Sequence, residues 1–340
     1  MTRALDPRHG IHDPTRSTPA RAPGSIRRTS TIDMPDGLLG DVVLVGRARD
    51  LATNAEGEAG VAGEAGFRAR VGPLASRKVI ELATFPEEPA AASLIGVTAS
   101  SGFRAELERA LPAHREARSL LHLLLDDLPV ASLVSGYAIG AGGVRIPLRQ
   151  RPIAMRPDLC AGWRTGGTML LELERDGHVP SATGPAAPSL SRPDDPIAWH
   201  GVEPLPPHGM RRHRRLDVIP SESLIIDALF RDSHMSADAG ETIVHEYSVR
   251  ARIEPATLEI LDVEARAGAL PWMECNPAAA SARRLVGRGL GDLRPHVRAE
   301  FTGPTTCTHL NDTLRSLEDA AALIARLPRR FSARRALETA

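Results

Sequence analysis

Apolar and polar residues alternate with a period of two in "SLIIDALFRDSHM", where Leu224, Ile226, Ala228 and Phe230 share one face of an extended strand, and "LLGDVVLVGRARD" alternates in the same way nearer the start of the chain. A second strand follows each of these, with Phe67, Ala69 and Val71 inward in the earlier one and Tyr247, Val249, Ala251 and Ile253 inward in the later. Turns at Gly72-Pro73 and Glu254-Pro255 lead to third strands, "KVIELAT" and "TLEILDVEA". Helical stretches come next, near 102–111 and 114–127 in the first set and near 277–286 and 308–326 in the second.

The two sets read as an internal repeat. "IRRTSTIDMPDG" at Ile26 realigns with "MRRHRRLDVIPS" at Met210, "RARVGP" at Arg68 with "RARIEP" at Arg250, and "LLHLLLDDL" around His122 with "CTHLNDTL" around His309. The pattern predicts an α+β fold of two tandem copies, each a three-stranded antiparallel sheet covered by helices, joined by a Pro/Gly-rich segment. The expected divisions are a disordered tail over 1–24, a cysteine-free first repeat over 25–135, an irregular linker or wrap over 136–209, a Cys/His-bearing second repeat over 210–328 and a tail over 329–340. Trp163 and Trp199, two of the three tryptophans, fall in the linker and favour its packing onto the repeats.

Charge and cysteine usage narrow the function. With 42 basic and 42 acidic residues the chain has no net field to recruit nucleic acid or an anionic membrane, and Lys78, its one lysine, lies in no phosphate-binding loop. Cys160, Cys275 and Cys307 are too few and too far apart for a disulfide scaffold, which favours a reducing compartment. No signal peptide or membrane-length apolar run stands out, so the expected location is the cytoplasm. A monomer or homodimer that takes a small-molecule ligand follows as the expectation for partners.

The candidate chemistry lies in the second repeat. His245 shares the inward strand face with Tyr247, and an inward imidazole needs a partner. Cys275 precedes a helix near Pro277, and Cys307 opens the last helix with Thr306 or Thr308 as cap, so both thiols sit where free amides favour thiolate. On a regular helix Cys307 and His309 point apart, and they converge only if Cys307 is still outside it. His245, Cys275, Cys307 and His309 together have a composition suited to zinc or iron, and Cys307 with His309 alone suits nucleophilic catalysis. The first repeat keeps His122 in register with His309 but has Leu120 opposite Cys307 and Glu87 or Glu88 near Cys275. "LDDLP" reads as a solvated helix end, "GAGG" and "GRGLG" as turns, and "RRHRR" (Arg211 to Arg215) as a strand edge.

On its "RR" strand openings, the "IVHEYSVRARI" strand, Cys275 before a helix, "LVGRGLGDL" and the closing "CTHLNDTL", the chain resembles the DUF2889 family, a bacterial family of unknown function. Its members typically end in a Gly-Cys-Thr-His-Leu sequence, matched here by Cys307, Thr308, His309 and Leu310, with Thr306 in place of the Gly. The order of three strands, a Cys, a helix and a second Cys opening a last helix is also similar to iron-sulfur cluster assembly scaffold proteins, which implies metal or cluster binding through those cysteines. Three functions follow as expectations: an enzyme of small-molecule metabolism using Cys307 and His309, a non-enzymatic metal- or sulfur-handling module, and a structural or partner-binding repeat protein.

Overall fold

The computed structural model describes residues 10–35, 40–73, 75–100, 102–142, 157–177, 179–238 and 240–328. Nine strands form one antiparallel sheet: β1 (Ile11–His12), β2 (Ile26–Met34), β3 (Val42–Thr53), β4 (Ala59–Val71), β5 (Val79–Phe85), β6 (Met210–Ile219), β7 (Leu224–Met235), β8 (Glu241–Ile253) and β9 (Ile260–Leu270), in the order β1-β9-β8-β7-β6-β2-β3-β4-β5. The expected pair of three-stranded sheets is therefore corrected to a single continuous one. What the hydrophobic pattern missed is the strand that opens each half, β2 and β6, because neither alternates.

Those two strands are the centre of the sheet, and nearly every residue of both is buried. "RRHRR" is thus the middle of the sheet and not its edge. Burying so many guanidinium groups is costly unless each meets a carboxylate in good geometry, and here the register supplies one. Arg27 lies opposite Asp217, and Asp33 opposite Arg211. Arg27 Nε donates to Asp217 at 2.6 Å and Arg211 Nε to Asp33 at 2.5 Å, each pair with a second bond from Nη2. On the other face Arg28 binds Asp50 of β3 at 2.8 and 3.0 Å, and Arg212 binds Asp232 of β7 at 2.9 and 3.0 Å.

Helices cover one face: α1 (Phe103–Ala110), α2 (Pro112–Glu116), α3 (Leu120–Val134) and α4 (Gly136–Ala141) over the first half, and α6 (Leu293–Glu300), α7 (Thr308–Ser316) and α8 (Ala320–Ile324) over the second, with α5 (Thr168–Asp176) between them in sequence. The helix expected at 114–127 divides at Arg118, whose φ of 48° is left-handed, and restarts where Ser119 Oγ accepts the His122 amide. The one expected at 277–286 is a 3-10 run, Met273–Leu285. Leu120–Ala141 is long and apolar enough to cross a membrane, contrary to the expectation that no such run exists, but 72% of its most apolar stretch is buried inside the protein, as a core helix would be. Asp126 and Asp127 of "LDDLP" are not solvated. Asp126 pairs with Arg315 and Arg104, and Asp127 with Arg214.

The opposite face is covered by irregular chain. Residues 10–24, expected to be disordered, are held mainly by polar bonds, with Ile11 packed against the core: β1 pairs with β9, Thr18 Oγ donates to Leu190 O at 2.6 Å, and Arg21 pairs with Asp195 at 2.7 Å. From the linker, Trp199 Nε1 donates to Thr18 Oγ, and His200 sits between the hydroxyls of Thr29 and Thr31 at 2.9 and 3.0 Å. Residues 1–9, 143–156 and the expected tail from 329 lie outside the described residues.

The seam gives a stability test. Asp33→Leu leaves Arg211 buried without its partner and should cost about 3–5 kcal/mol in urea unfolding, whereas adding Arg211→Met should restore much of that loss. No recovery in the double variant would show that the pair does not act as a unit. A second test concerns pH. Burial lowers the pKa of His122 and His234 to about 4 and, with Arg49, Arg47 and Arg211 nearby, that of His200 to about 3. Because these folded values lie below the unfolded value of about 6.5, the unfolded chain takes up protons first. Their contribution is complete above about pH 6.5 and is lost as the pH falls towards 4. The melting temperature should therefore begin to fall near pH 6.5, and a flat profile down to pH 5 would contradict it.

Candidate metal centre

The alternation of β7 continues one step beyond Phe230 to Asp232, which puts a carboxylate on the helix-covered face. Across the strands Asp232 is in register with His245 of β8, next to a β-bulge between Asp232 and Ser233. His309, in the first turn of α7, descends onto the same spot. The imidazoles of His245 and His309 stack with centroids 3.6 Å apart, and Asp232 Oδ2 is 3.6 Å from His245 Nδ1 and 4.0 Å from His309 Nε2. One donor atom from each of these three residues lies within 4.8 Å of the others, and no other group of three or more His, Cys, Asp or Glu side chains among the described residues is so arranged.

Asp232 is fully buried. Burial alone would raise its pKa, but Arg212, helped by His245 and His309, holds it below the usual carboxylate range. His309 moves the other way: burial, reinforced by His245, keeps its pKa well below the ordinary histidine value despite the pull of Asp232. A neutral imidazole is the form that binds a metal. The side chains of His245 and His309 are 15% and 19% exposed, so the group opens to solvent along its imidazole edges.

Cys307 is itself the N-cap of α7, in an extended conformation with φ −128° and ψ 129°, so neither Thr306 nor Thr308 caps the helix. That placement outside the helix brings Cys307 Sγ to 4.0 Å from His309 Nδ1. Cys275 lies inside the 3-10 run, and Cys275 and Cys307 both lie close to Tyr247. The four residues singled out from sequence are therefore neighbours but not one compact donor set. His309 joins two groups: Asp232 at Nε2, with His245 stacked on its ring, and Cys307 at Nδ1. The expectation of helix-terminus thiolates is overridden by burial, which pushes Cys307 up to about 11 and Cys275 well above an ordinary thiol.

Asp232, Arg212, Tyr247 and Cys160 were not picked out as site residues. Asp232 was detectable, being the next inward position after Phe230. Cys160 was not, since it comes from a Pro/Gly-rich stretch and reaches the site through the Ala161 amide, which donates to Thr306 O at 2.8 Å.

The first half has the same frame without the site. Asp50 is bound by Arg28 as Asp232 is by Arg212, and the same bulge follows it, but its partner in register on β4 is Gly63 instead of a histidine. Arg326 Nη1 reaches Asp50 at 2.6 Å instead. His122, the counterpart of His309, is buried with neither ring nitrogen hydrogen-bonded among the described residues. A groove of about 460 Å³ on the other face of the sheet, beside Arg47, Glu64, Arg68, Phe85 and His200, contains none of the candidate site residues.

Residues 210–323 match the DUF2889 family, described as a protein of unknown function. That span contains Asp232, His245, Cys275, Cys307 and His309 but not Cys160. No curated protein and no solved structure matches the chain.

The thiols give a direct check. A pKa of about 11 for Cys307 lowers its thiolate fraction at neutral pH about 100-fold relative to an ordinary cysteine. In the metal-free folded protein Cys307 should thus react slowly with an aromatic disulfide reagent and rapidly after denaturation. Rapid stoichiometric labelling of the folded form at pH 7 would contradict this.

Proposed function

We propose that the protein binds a divalent transition metal of the zinc or ferrous class through His245, His309 and Asp232, and uses it on a small molecule that enters along the exposed imidazole edges. The carrying observation is the convergence of two imidazoles and a buried carboxylate within 4.8 Å of one another. The donors suit such an ion: the imidazole of His309, which burial keeps neutral, that of His245, whose Nδ1 is 3.6 Å from Asp232 Oδ2, and a carboxylate fixed from behind by Arg212. Bound there, the ion would act as a Lewis acid or lower the pKa of a coordinated water. Asp232 and Arg212 set the position of the imidazoles, and the bulge at Asp232 aims His245 at the opening.

A second reading rests on the order Cys307 Sγ, His309 Nδ1, His309 Nε2, Asp232 Oδ2, with steps of 4.0 Å at each end. This is the sequence of a nucleophile, its base and the group that orients the base. Burial of Cys307, only 3% exposed, and its raised pKa weigh against it. A non-enzymatic metal carrier is the remaining alternative. Three free, buried cysteines fit a reducing compartment such as the bacterial cytoplasm. The reciprocal β2–β6 seam supports descent of the two halves from one duplicated unit, which would leave the protein monomeric or a simple dimer.

Elemental analysis of the untagged protein should find zinc or iron at a near-integral ratio, and the His245→Ala/His309→Ala variant should lose at least one ion per chain. Undiminished metal in that variant overturns the reading. Loss of turnover in Cys307→Ala with the metal retained would instead favour the thiol relay.

A further inference from the structure

The three cysteines of the chain, from three separate segments, share one buried compartment behind His309. Cys160, Cys275 and Cys307 are 7%, 5% and 3% exposed, and none is in a disulfide. The Ala161–Thr306 bond ties the Cys160 turn to the residue before Cys307. Gly162 brings the same turn against Cys275: a Cβ there would lie 2.8 Å from Cys275 Sγ, a contact only glycine permits without displacement. The buried Tyr247 hydroxyl lies against Cys307, with Cys275 and Cys160 near enough to act on it electrostatically. Backbone amides face the sulfurs, those of Gly162, Trp163 and Thr308 towards Cys160 and those of His309 and Leu310 towards Cys307.

Three sulfurs of low exposure, amide donors directed at them and an imidazole nitrogen on the open side form the surroundings of a closed thiolate metal site. We infer that Cys160, Cys275 and Cys307, with His309 Nδ1 as the fourth donor, bind a second, thiophilic ion of the zinc class, separate from the one held by His245, His309 Nε2 and Asp232. Binding replaces the three thiol protons and the ring N–H proton of His309, all of which leave to solvent, by three metal–sulfur bonds and one metal–nitrogen bond, so that with both ions bound His309 is an imidazolate. It also draws the sulfurs inward, because Zn–S bonds of about 2.3 Å require them to approach each other to roughly 3.8 Å. His309 then bridges a closed, structural ion and an open, reactive one. Cys160 lies outside residues 210–323, so the linker completes a site that this span only partly encodes.

The test is a Co²⁺ titration of the metal-free full-length protein, read by thiolate-to-cobalt charge-transfer absorption in the near ultraviolet. The wild type should show an intense band that His245→Ala retains. Cys160→Ser should lose roughly a third of the band and bind about 10- to 100-fold more weakly, in the range of lost metal-site groups. An unchanged band in Cys160→Ser, or no thiolate band in the wild type, overturns the inference. Should Cys160→Ser fail to fold, X-ray absorption of zinc-loaded His245→Ala decides without altering a cysteine: three sulfur neighbours support the site, and a shell of only nitrogen and oxygen removes it. Loss of metal from His245→Ala with the sulfur band intact would leave both readings standing, whereas the sulfur band alone, with no metal lost from that variant, would retain this inference and reject the open site.

Discussion

A buried guanidinium facing a buried carboxylate across neighbouring strands is the constraint on which the rest of the structure depends. In β2 and β6 arginines occupy positions that a central strand normally gives to valine or isoleucine, and they are tolerated there because Asp33, Asp217, Asp50 and Asp232 are placed by register to meet them. A shift by one residue would turn every arginine to the wrong face and leave several charges unpaired, at a cost larger than the whole stability of an ordinary domain. The ion pairs therefore fix register more sharply than an apolar seam would. The same constraint creates the site: Asp232 is buried because Arg212 needs it, and the imidazoles collect around its carboxylate oxygen Oδ2.

The parts of the fold legible in the sequence were those governed by apolar periodicity. The inward faces of β7 and β8, the third strand of each half and the helix at 103–110 all follow from it. The central strands were not legible, because "RRTSTID" and "RRHRRLD" have a polar residue at almost every position and their burial depends on partners on other strands. Likewise the order in residues 10–24 comes from hydrogen bonds to chain about 170 or more positions away, such as Thr18 to Leu190 and Thr15 to Glu246. Within the site, His245, Cys307 and His309 could be chosen by residue type and placement. Cys160 could not, since a three-residue turn in a linker carries no periodicity to place it.

Comparing the halves separates what holds the fold from what sets the candidate site apart. Arg28 with Asp50 and Arg212 with Asp232 are the same structural device, and so are the bulges that follow the two aspartates. The difference lies in what meets the carboxylate next: an arginine that neutralises it in one half, and two imidazoles in the other. An arginine has no free lone pair to offer a ligand, while an imidazole keeps one. One half has closed its carboxylate and the other has kept it available.

The reciprocity of the seam has a consequence for the span that carries the site. Arg211 and Asp217 of β6 are placed about Arg214 as Arg27 and Asp33 of β2 are about Ser30, and Ser30 is paired with Arg214. A polypeptide comprising only the second half would present, along one bare edge, both halves of its own recognition code. Two such chains could lie edge to edge with Arg211 of each against Asp217 of the other. In the full chain β2 already occupies that edge, with Arg27 and Asp33 in the places a second copy would supply, so the edge is never bare.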